Sequence, residues 1–304
     1  MFENWPLKVF TSEFVEQRNC LDIIARKSMS GKISEGLNAE YNFDFYKDVE
    51  ELKSTGIMID ESVLSAKEAK DMYDYFAATK CYDFYGAHEP FTISDVPSRV
   101  KLGRHTIKDN LTCPKMVNLI TNEDIIKKAS SFLNAPATLS LVLPMWSFPY
   151  KEKNPINMQL FHRDADDYKF VKFFILLSDV ELGEGEQVYL KGSNVAEHLP
   201  PELYKIERYP TQVIDNHASE FEKVKVVGKA GINWFADTYG IHRGTVPSTK
   251  PRLLLQLQFS YNPVPIFNYK SYKYSKWNEL SDLVKYSTRM YLTGGNKISE
   301  VKYV

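Results

Sequence analysis

The sequence predicts a mainly β chain with flanking helices, its strands folded as an antiparallel barrel or double-sheet jelly roll. Three observations carry this. From about residue 138 onward, "TLSLVLPMWSF", "VKFFILLSDV", "EQVYLKG", "KVKVVGK", "INWFAD" and "RLLLQLQFSY" are short runs rich in Val, Ile, Leu and Phe. Turn-prone Gly, Pro, Asp or Asn separates them, with no helical pattern between. Before residue 138 the chain instead shows helix caps and a 3.6-residue apolar period. The last run alternates, with Arg252, Leu254, Gln256, Gln258 and Ser260 on one face and Leu253, Leu255, Leu257, Phe259 and Tyr261 on the other. An apolar face of this kind packs under helices, and a polar face opened by Arg252 is expected to line a wet cavity.

The elements follow in order. "GIMID", 56–60, reads as a short strand. Ser65 with Glu68 three residues later is a capping-box pattern, and Ala69, Met72, Tyr73 and Phe76 then form one apolar stripe. "TNEDIIKKASSFLNAP" repeats the logic, with Thr121 or Asn122 as cap and Ile125, Ile126, Ala129 and Leu133 as the buried stripe. Pro136 lies beyond its end. These stripes are read as packing faces. The organisation expected is a single domain, 1–304, with a mostly helical front (1–137), a jelly-roll core (138–262) and a C-terminal extension (263–304). The extension is expected to hold a helix packed on the barrel or on a partner subunit. The polar, aromatic-bearing stretch 194–222 is long enough to be a lid loop.

Composition excludes several classes. The chain has 304 residues, 43% hydrophobic and 25% charged, with a formal net charge of -1. That supports a sizeable core and gives no global pull toward nucleic acid or anionic membrane. "MFENWPLKVF" lacks the basic and apolar regions of a signal peptide. No apolar run approaches the ~18 residues of a membrane span. Cys20, Cys81 and Cys113 are far apart and odd in number, so neither a disulfide framework nor a zinc spacing is expected. A reduced, cytoplasmic setting follows. "KSYKYSKWNEL", 270–280, alternates basic and aromatic residues but is too short a patch for a nucleic-acid surface. There is no P-loop, dinucleotide fingerprint or nucleophile elbow. The expected partner is a small soluble molecule, and the oligomeric state is not legible.

The stretch with chemistry is "FHRDADDYKF", 161–170. In a strand, His162 and Asp164 would point to one face, although H-x-D alone is a common accident. A third ligand is available in "DTYGIHRGTVP", where His242 follows the run "INWFAD". Two histidines and a carboxylate on one face of a metal leave positions open, the arrangement of non-haem Fe(II) oxygenases. Arg252 comes ten residues later, at the head of the last strand. Its guanidinium suits a carboxylate held by two hydrogen bonds, which in such an oxygenase is the distal end of 2-oxoglutarate. Arg163 is expected to point away from the metal, and Asp166 and Asp167 to steady the loop. His105, His198 and His217 are isolated and are read as surface or locally satisfied polar residues.

These motifs give the chain a resemblance. "FHRDADDYKFVKFFILLSDV", "GEGEQVYLKGSN" and "FADTYGIHRGTVPSTKPRLLLQLQFS", over roughly 140–262, resemble the phytanoyl-CoA dioxygenase family of Fe(II)/2-oxoglutarate oxygenases. The resemblance implies a double-stranded β-helix (cupin-like) core, Fe(II) on His162, Asp164 and His242, and 2-oxoglutarate on Arg252. It implies use of O2, with 2-oxoglutarate converted to succinate and CO2. Arg104, Lys108 and Thr245 are further candidates to hold 2-oxoglutarate. One departure is Asn194 after Ser193, where members often have His. Asp164 itself favours hydroxylation over halogenation, since halogenases of this superfamily lack that carboxylate; desaturation and cyclisation stay open. Two other readings stand beside this one. One is a cupin-type metal oxygenase or hydrolase that does not use 2-oxoglutarate. The other is a catalytically silent metal- or small-molecule-binding jelly roll.

Overall fold

The computed structural model describes residues 23–38, 46, 49–86, 88–150, 157–205, 208–217, 219–264, 267, 269–295 and 300–301. In chain order the first elements are α1 (Ile23–Asn38), α2 (Val49–Thr55), β1 (Ile57–Asp60) and α3 (Ala66–Ala78). After these come β2 (Tyr82–Asp83), β3 (Leu102–Arg104), α4 (Ile107–Thr112), α5 (Met116–Ile120) and α6 (Glu123–Leu133). The strand-rich part holds β4 (Thr138–Ser147), β5 (Phe161–His162), β6 (Phe170–Leu176), β7 (Gln187–Leu190) and β8 (Arg208–Tyr209). It continues with β9 (Lys223–Val226), β10 (Asn233–Ala236), β11 (His242–Gly244) and β12 (Arg252–Ser260).

Two antiparallel sheets make a jelly roll of double-stranded β-helix type. The larger has the order β1-β10-β6-β12-β4-β3-β2 and the smaller β8-β5-β11-β7-β9. The helical front therefore also supplies three strands of the larger sheet, β1 at one edge and β3 with β2 at the other, and the 56–60 stretch forms β1. The caps form as expected. Ser65 and Glu68 make a reciprocal capping box on α3, and the Asn122 side chain accepts from two backbone N–H groups at the start of α6.

The faces of the larger sheet divide cleanly. Leu253, Leu255, Leu257 and Phe259 of β12, with Val171, Phe173 and Ile175 of β6, pack against Met72, Phe76, Ile126 and Phe132 of α3 and α6. Each fully buried Leu or Phe there is worth about 1.5–3 kcal/mol of transfer free energy. The inner face meets the smaller sheet through Leu254, Phe174, Leu176, Trp234 and Tyr189.

The 194–222 stretch is anchored through much of its length. β8 pairs with β5, the strand that carries His162. Leu199, Leu203, Tyr209 and Ile214 are buried with Phe161 and Ile241. In the C-terminal extension a helix, Asp282–Thr288, packs on β4 and α6. Among the described residues no helix is long and apolar enough to cross a membrane. Cys81 and Cys113 are buried and free, and Cys20 lies outside the described residues.

Candidate metal centre

His162, Asp164 and His242 converge. One ligand atom from each lies within 4.8 Å of the others. Pairing brings the histidines together, since His242 on β11 stands opposite His162 on β5, with ring centroids 4.4 Å apart. Asp164 arrives differently from the expected strand alternation. β5 ends at His162, and Asp164 sits just beyond, its N–H bonded to the Thr238 carbonyl at 3.0 Å. From there its Oδ1 is 3.5 Å from His162 Nε2 and its Oδ2 is 3.6 Å from His242 Nε2.

The donor chemistry fits a divalent metal. His162 Nδ1 lies 2.8 Å from the Leu160 carbonyl and His242 Nδ1 lies 3.0 Å from the Gly240 carbonyl. A carbonyl only accepts, so each Nδ1 carries the proton and each Nε2 keeps its lone pair for a metal. Burial, reinforced by His162, pushes His242 down to about 3, so its imidazole is neutral. Burial works against the charge on Asp164, but the Lys172 ammonium beside it holds its carboxyl well below the usual range. Two neutral nitrogens and one carboxylate oxygen are the ligand set of an open-sided Fe(II), Co(II) or Zn(II) site.

Lys172 is the residue that sequence reasoning missed. Its Nζ donates to Asp164 Oδ2 at 2.6 Å and lies 3.8 Å from Asp166. It is buried on the inner face of β6, inside the otherwise apolar run "FVKFFIL". A lysine in the middle of a fully buried strand was the available signal, because such a charge persists only when paired.

A cavity of about 50 Å³ runs from the triad along the inner face. His162, Asp164, Lys172, Arg252, Gln256 and Thr245 are among its walls. Arg252 is 3% exposed, donates to Ser147 Oγ at 2.9 Å and also bonds the Gly185 carbonyl. Burial pushes it down to about 10, which leaves it cationic at neutral pH. Its Nε has no hydrogen-bond partner among the described residues, an unmet donor suited to an anionic ligand. Gly185 has φ +92°, and a Cβ there would sit 3.2 Å from Arg252 Cδ, so the turn needs glycine. Gln187 fills the same corner; with its amide turned to match its neighbours it accepts from Arg252 at 3.2 Å and donates to the Arg243 carbonyl at 3.2 Å. Thr245 lines the cavity and donates to Glu186 Oε2 at 2.7 Å.

The other candidates fall elsewhere. Arg104 and Lys108 are exposed and do not line this cavity. Arg163 points away from the triad, as alternation predicts, but it is buried. It donates to the carbonyls of Ser193, Tyr239 and Leu203 at 2.9, 2.5 and 3.1 Å. Asp167 accepts from the N–H groups of Tyr168 and Asn262, and burial pushes its carboxyl up to about 6. His105 is buried against the Trp146 indole N–H, and His217 pairs with Glu220. Asn194 donates to the Lys53 carbonyl and to Asp237. On the expected polar face of β12, Gln256 reaches the cavity, whereas Gln258 lies outside it and donates to Ser140 Oγ at 3.2 Å, its Oε1 finding no partner among the described residues.

No protein-family model matches the sequence, and no curated protein sequence does. Solved structures do match in fold. The epimerase SnoN in complex with Fe3+, alpha ketoglutarate and nogalamycin RO superposes with a TM-score of 0.51 at 18% identity, over 69% of this chain and 81% of that one. A second structure, of SnoN from nogalamycin biosynthesis as a non-heme alpha ketoglutarate dependent epimerase, gives 0.50 at 18% identity over 69% and 80%. EctD from S. alaskensis with bound Fe gives 0.49 at 14% identity over 72% and 77%. At 18% identity the two SnoN structures speak for the shared jelly-roll fold.

Proposed function

We propose that this chain is an Fe(II)/2-oxoglutarate-dependent dioxygenase that hydroxylates an unactivated C–H bond of a small soluble metabolite, and that it belongs with the phytanoyl-CoA dioxygenase family. The observation that carries the reading is the pairing of the His162–Asp164–His242 cluster with a buried, partly unpaired Arg252 in one cavity. The neighbouring fold of SnoN, described with Fe3+ and alpha ketoglutarate, supports it.

On this reading His162 Nε2, His242 Nε2 and Asp164 hold the iron, and Arg252 takes the distal carboxylate of 2-oxoglutarate, with Thr245 beside it. Bound iron with 2-oxoglutarate and O2 supplies the oxidising power for C–H cleavage, with succinate and CO2 as co-products. The chain's own work is positional. The carbonyls of Leu160 and Gly240 fix the imidazole tautomers, and Lys172 neutralises Asp164 and fixes its orientation. Leu254, Phe174 and Trp234 keep the inner face dry.

The test is a succinate-release screen with Fe(II), ascorbate, 2-oxoglutarate and a metabolite library, with product masses read in parallel. Succinate with a product heavier by one oxygen atom is the expected outcome. Substrate turnover without succinate moves the chain to the cupin-type reading. Succinate with an isomeric product replaces hydroxylation by epimerisation, the activity named for SnoN.

A further inference from the structure

Gln256 is the one amide of β12 that opens on the triad cavity. It is 7% exposed, and its only hydrogen bond among the described residues runs from Nε2 to the Met145 sulfur at 3.7 Å. A thioether accepts and does not donate, so the amide nitrogen is the end turned to Met145 and Oε1 is the end left over. Oε1 accepts from no described group and, unlike the sealed Oε1 of Gln258, keeps accessible surface, so it faces the cavity. A nearly buried acceptor held open in this way is uncommon in a native interior.

The surroundings decide which donor it takes. 2-Oxoglutarate brings none, since at neutral pH its two carboxylates and its oxo group only accept. Gln256 stands opposite Phe174 of β6, with Lys172 two residues away on the same face. Diagonal neighbours of this kind lie roughly 7–8 Å apart, within reach of long side chains. Arg252 points into the same cavity, and Asp164, already bonded to Lys172, is the only carboxylate among its described walls. An ammonium group beside Gln256 would therefore meet two cations and one engaged carboxylate. Phe174, Met145, Met158 and Leu102 supply apolar walls.

We propose that Gln256 is a specificity-determining residue of this site: its Oε1 accepts from a neutral hydroxyl or amide N–H of the substrate, whose apolar body packs on Phe174 and Met145. This rests on the reading of the cavity as an Fe(II)/2-oxoglutarate site. It narrows the small metabolite of that reading to an uncharged hydrogen-bond donor on a compact apolar frame. An analogue without the donor leaves Gln256 unpaired and is rejected for that reason.

Ligand-observed NMR titration of the zinc-loaded full chain, with and without 2-oxoglutarate, tests this. The probes are cyclopentanol, cyclopentanone and cyclopentylammonium, which share one ring and differ as neutral donor, acceptor and cation. Cyclopentanol is expected to bind the wild type about fivefold more tightly than cyclopentanone, the worth of one neutral hydrogen bond, and cyclopentylammonium to bind most weakly. Gln256→Met removes the acceptor at similar volume and should erase the alcohol's advantage, whereas Gln256→Glu keeps an acceptor and should retain it. The proposal is overturned if cyclopentanol does not bind, if it binds no better than cyclopentanone, if cyclopentylammonium binds best, or if Gln256→Met keeps the advantage. Displacement of cyclopentanol by 2-oxoglutarate would assign Gln256 to the co-substrate and overturn it equally. Should Gln256→Met fail to fold, the comparison of probes on the wild type still decides. Failure of the underlying reading looks different: 2-oxoglutarate then shows no zinc-dependent binding, while the alcohol's advantage and its dependence on Gln256 are untouched.

Discussion

The two faces of β12 differ in what they ask of their neighbours. Outward, Leu253, Leu255, Leu257 and Phe259 meet helices and need only volume and apolarity. Inward, Arg252 and Gln256 face a cavity shared with His162, Asp164 and Lys172, where each polar atom needs a specific partner. One strand thus carries stability on one side and chemistry on the other. Substitutions on the two sides should fail in different ways.

The largest expected effect is at Asp164. Asp164→Ala removes the one carboxylate of the cluster, and 2-oxoglutarate turnover should fall to background. Co(II) titration followed by visible absorption checks the cause, since the variant should no longer bind Co(II) as the wild type does. Substantial retained turnover would sink the triad.

Lys172→Met should separate stability from metal binding. It leaves the Asp164 carboxylate buried without its ammonium, and breaking such a pair costs roughly 3–5 kcal/mol. The metal-free protein should lose that much in urea unfolding. The same change removes a cation beside the metal, so Co(II) should bind more tightly than to wild type and restore much of the loss. Weaker Co(II) binding would show that Lys172 matters more for orientation than for charge.

On the outer face, Leu255→Ala leaves a cavity under α3 and α6 and should cost about 2–5 kcal/mol. The Co(II) stoichiometry and the 2-oxoglutarate KM of the folded fraction should be unchanged. A changed KM would mean that the faces are coupled through the strand.

Arg252→Ala tests the far end of the cavity. Charge-assisted hydrogen bonds of about 1.5–3 kcal/mol correspond to roughly a 10–100-fold rise in KM for 2-oxoglutarate, with the KM for substrate nearly unmoved. Equal rises in both would assign Arg252 to packing.

The same division explains what the sequence disclosed. Apolar periodicity is a local signal, so the helices with Ser65 and Asn122 caps, the long strands β4, β6 and β12 and the apolar run of β10 were all legible. Two-residue strands such as β5 and β8 carry too few side chains to show a period, and they form because neighbours pair with them. His162, Asp164, His242 and Arg252 stood out as polar residues at the ends of apolar runs. Lys172 hid inside one, because its partner Asp164 becomes its neighbour only through the fold. The 194–222 stretch read as a loop because its anchors, Leu199, Leu203, Tyr209 and Ile214, are scattered along polar sequence. Arg104 and Lys108 show the converse, since a basic residue near a strand end says nothing about which way it points.

That last pair supplies the smallest expected effect and the sharpest check on the comparison. Arg104 on β3 stands opposite Met145 of β4, whose side chain reaches the cavity, yet Arg104 itself is exposed. An exposed residue away from caps and packed contacts usually changes stability by no more than about 0.5 kcal/mol. Arg104→Ala and Lys108→Ala should therefore leave both stability and the 2-oxoglutarate KM within about twofold of wild type, a change near 0.4 kcal/mol. A tenfold rise in that KM for either variant would mean that the edge of the larger sheet closes over the cavity when 2-oxoglutarate binds. The binding machinery would then extend past Leu102, which already lines the cavity from β3, to Arg104 and α4, and the separation of the two faces would hold only for the unliganded protein.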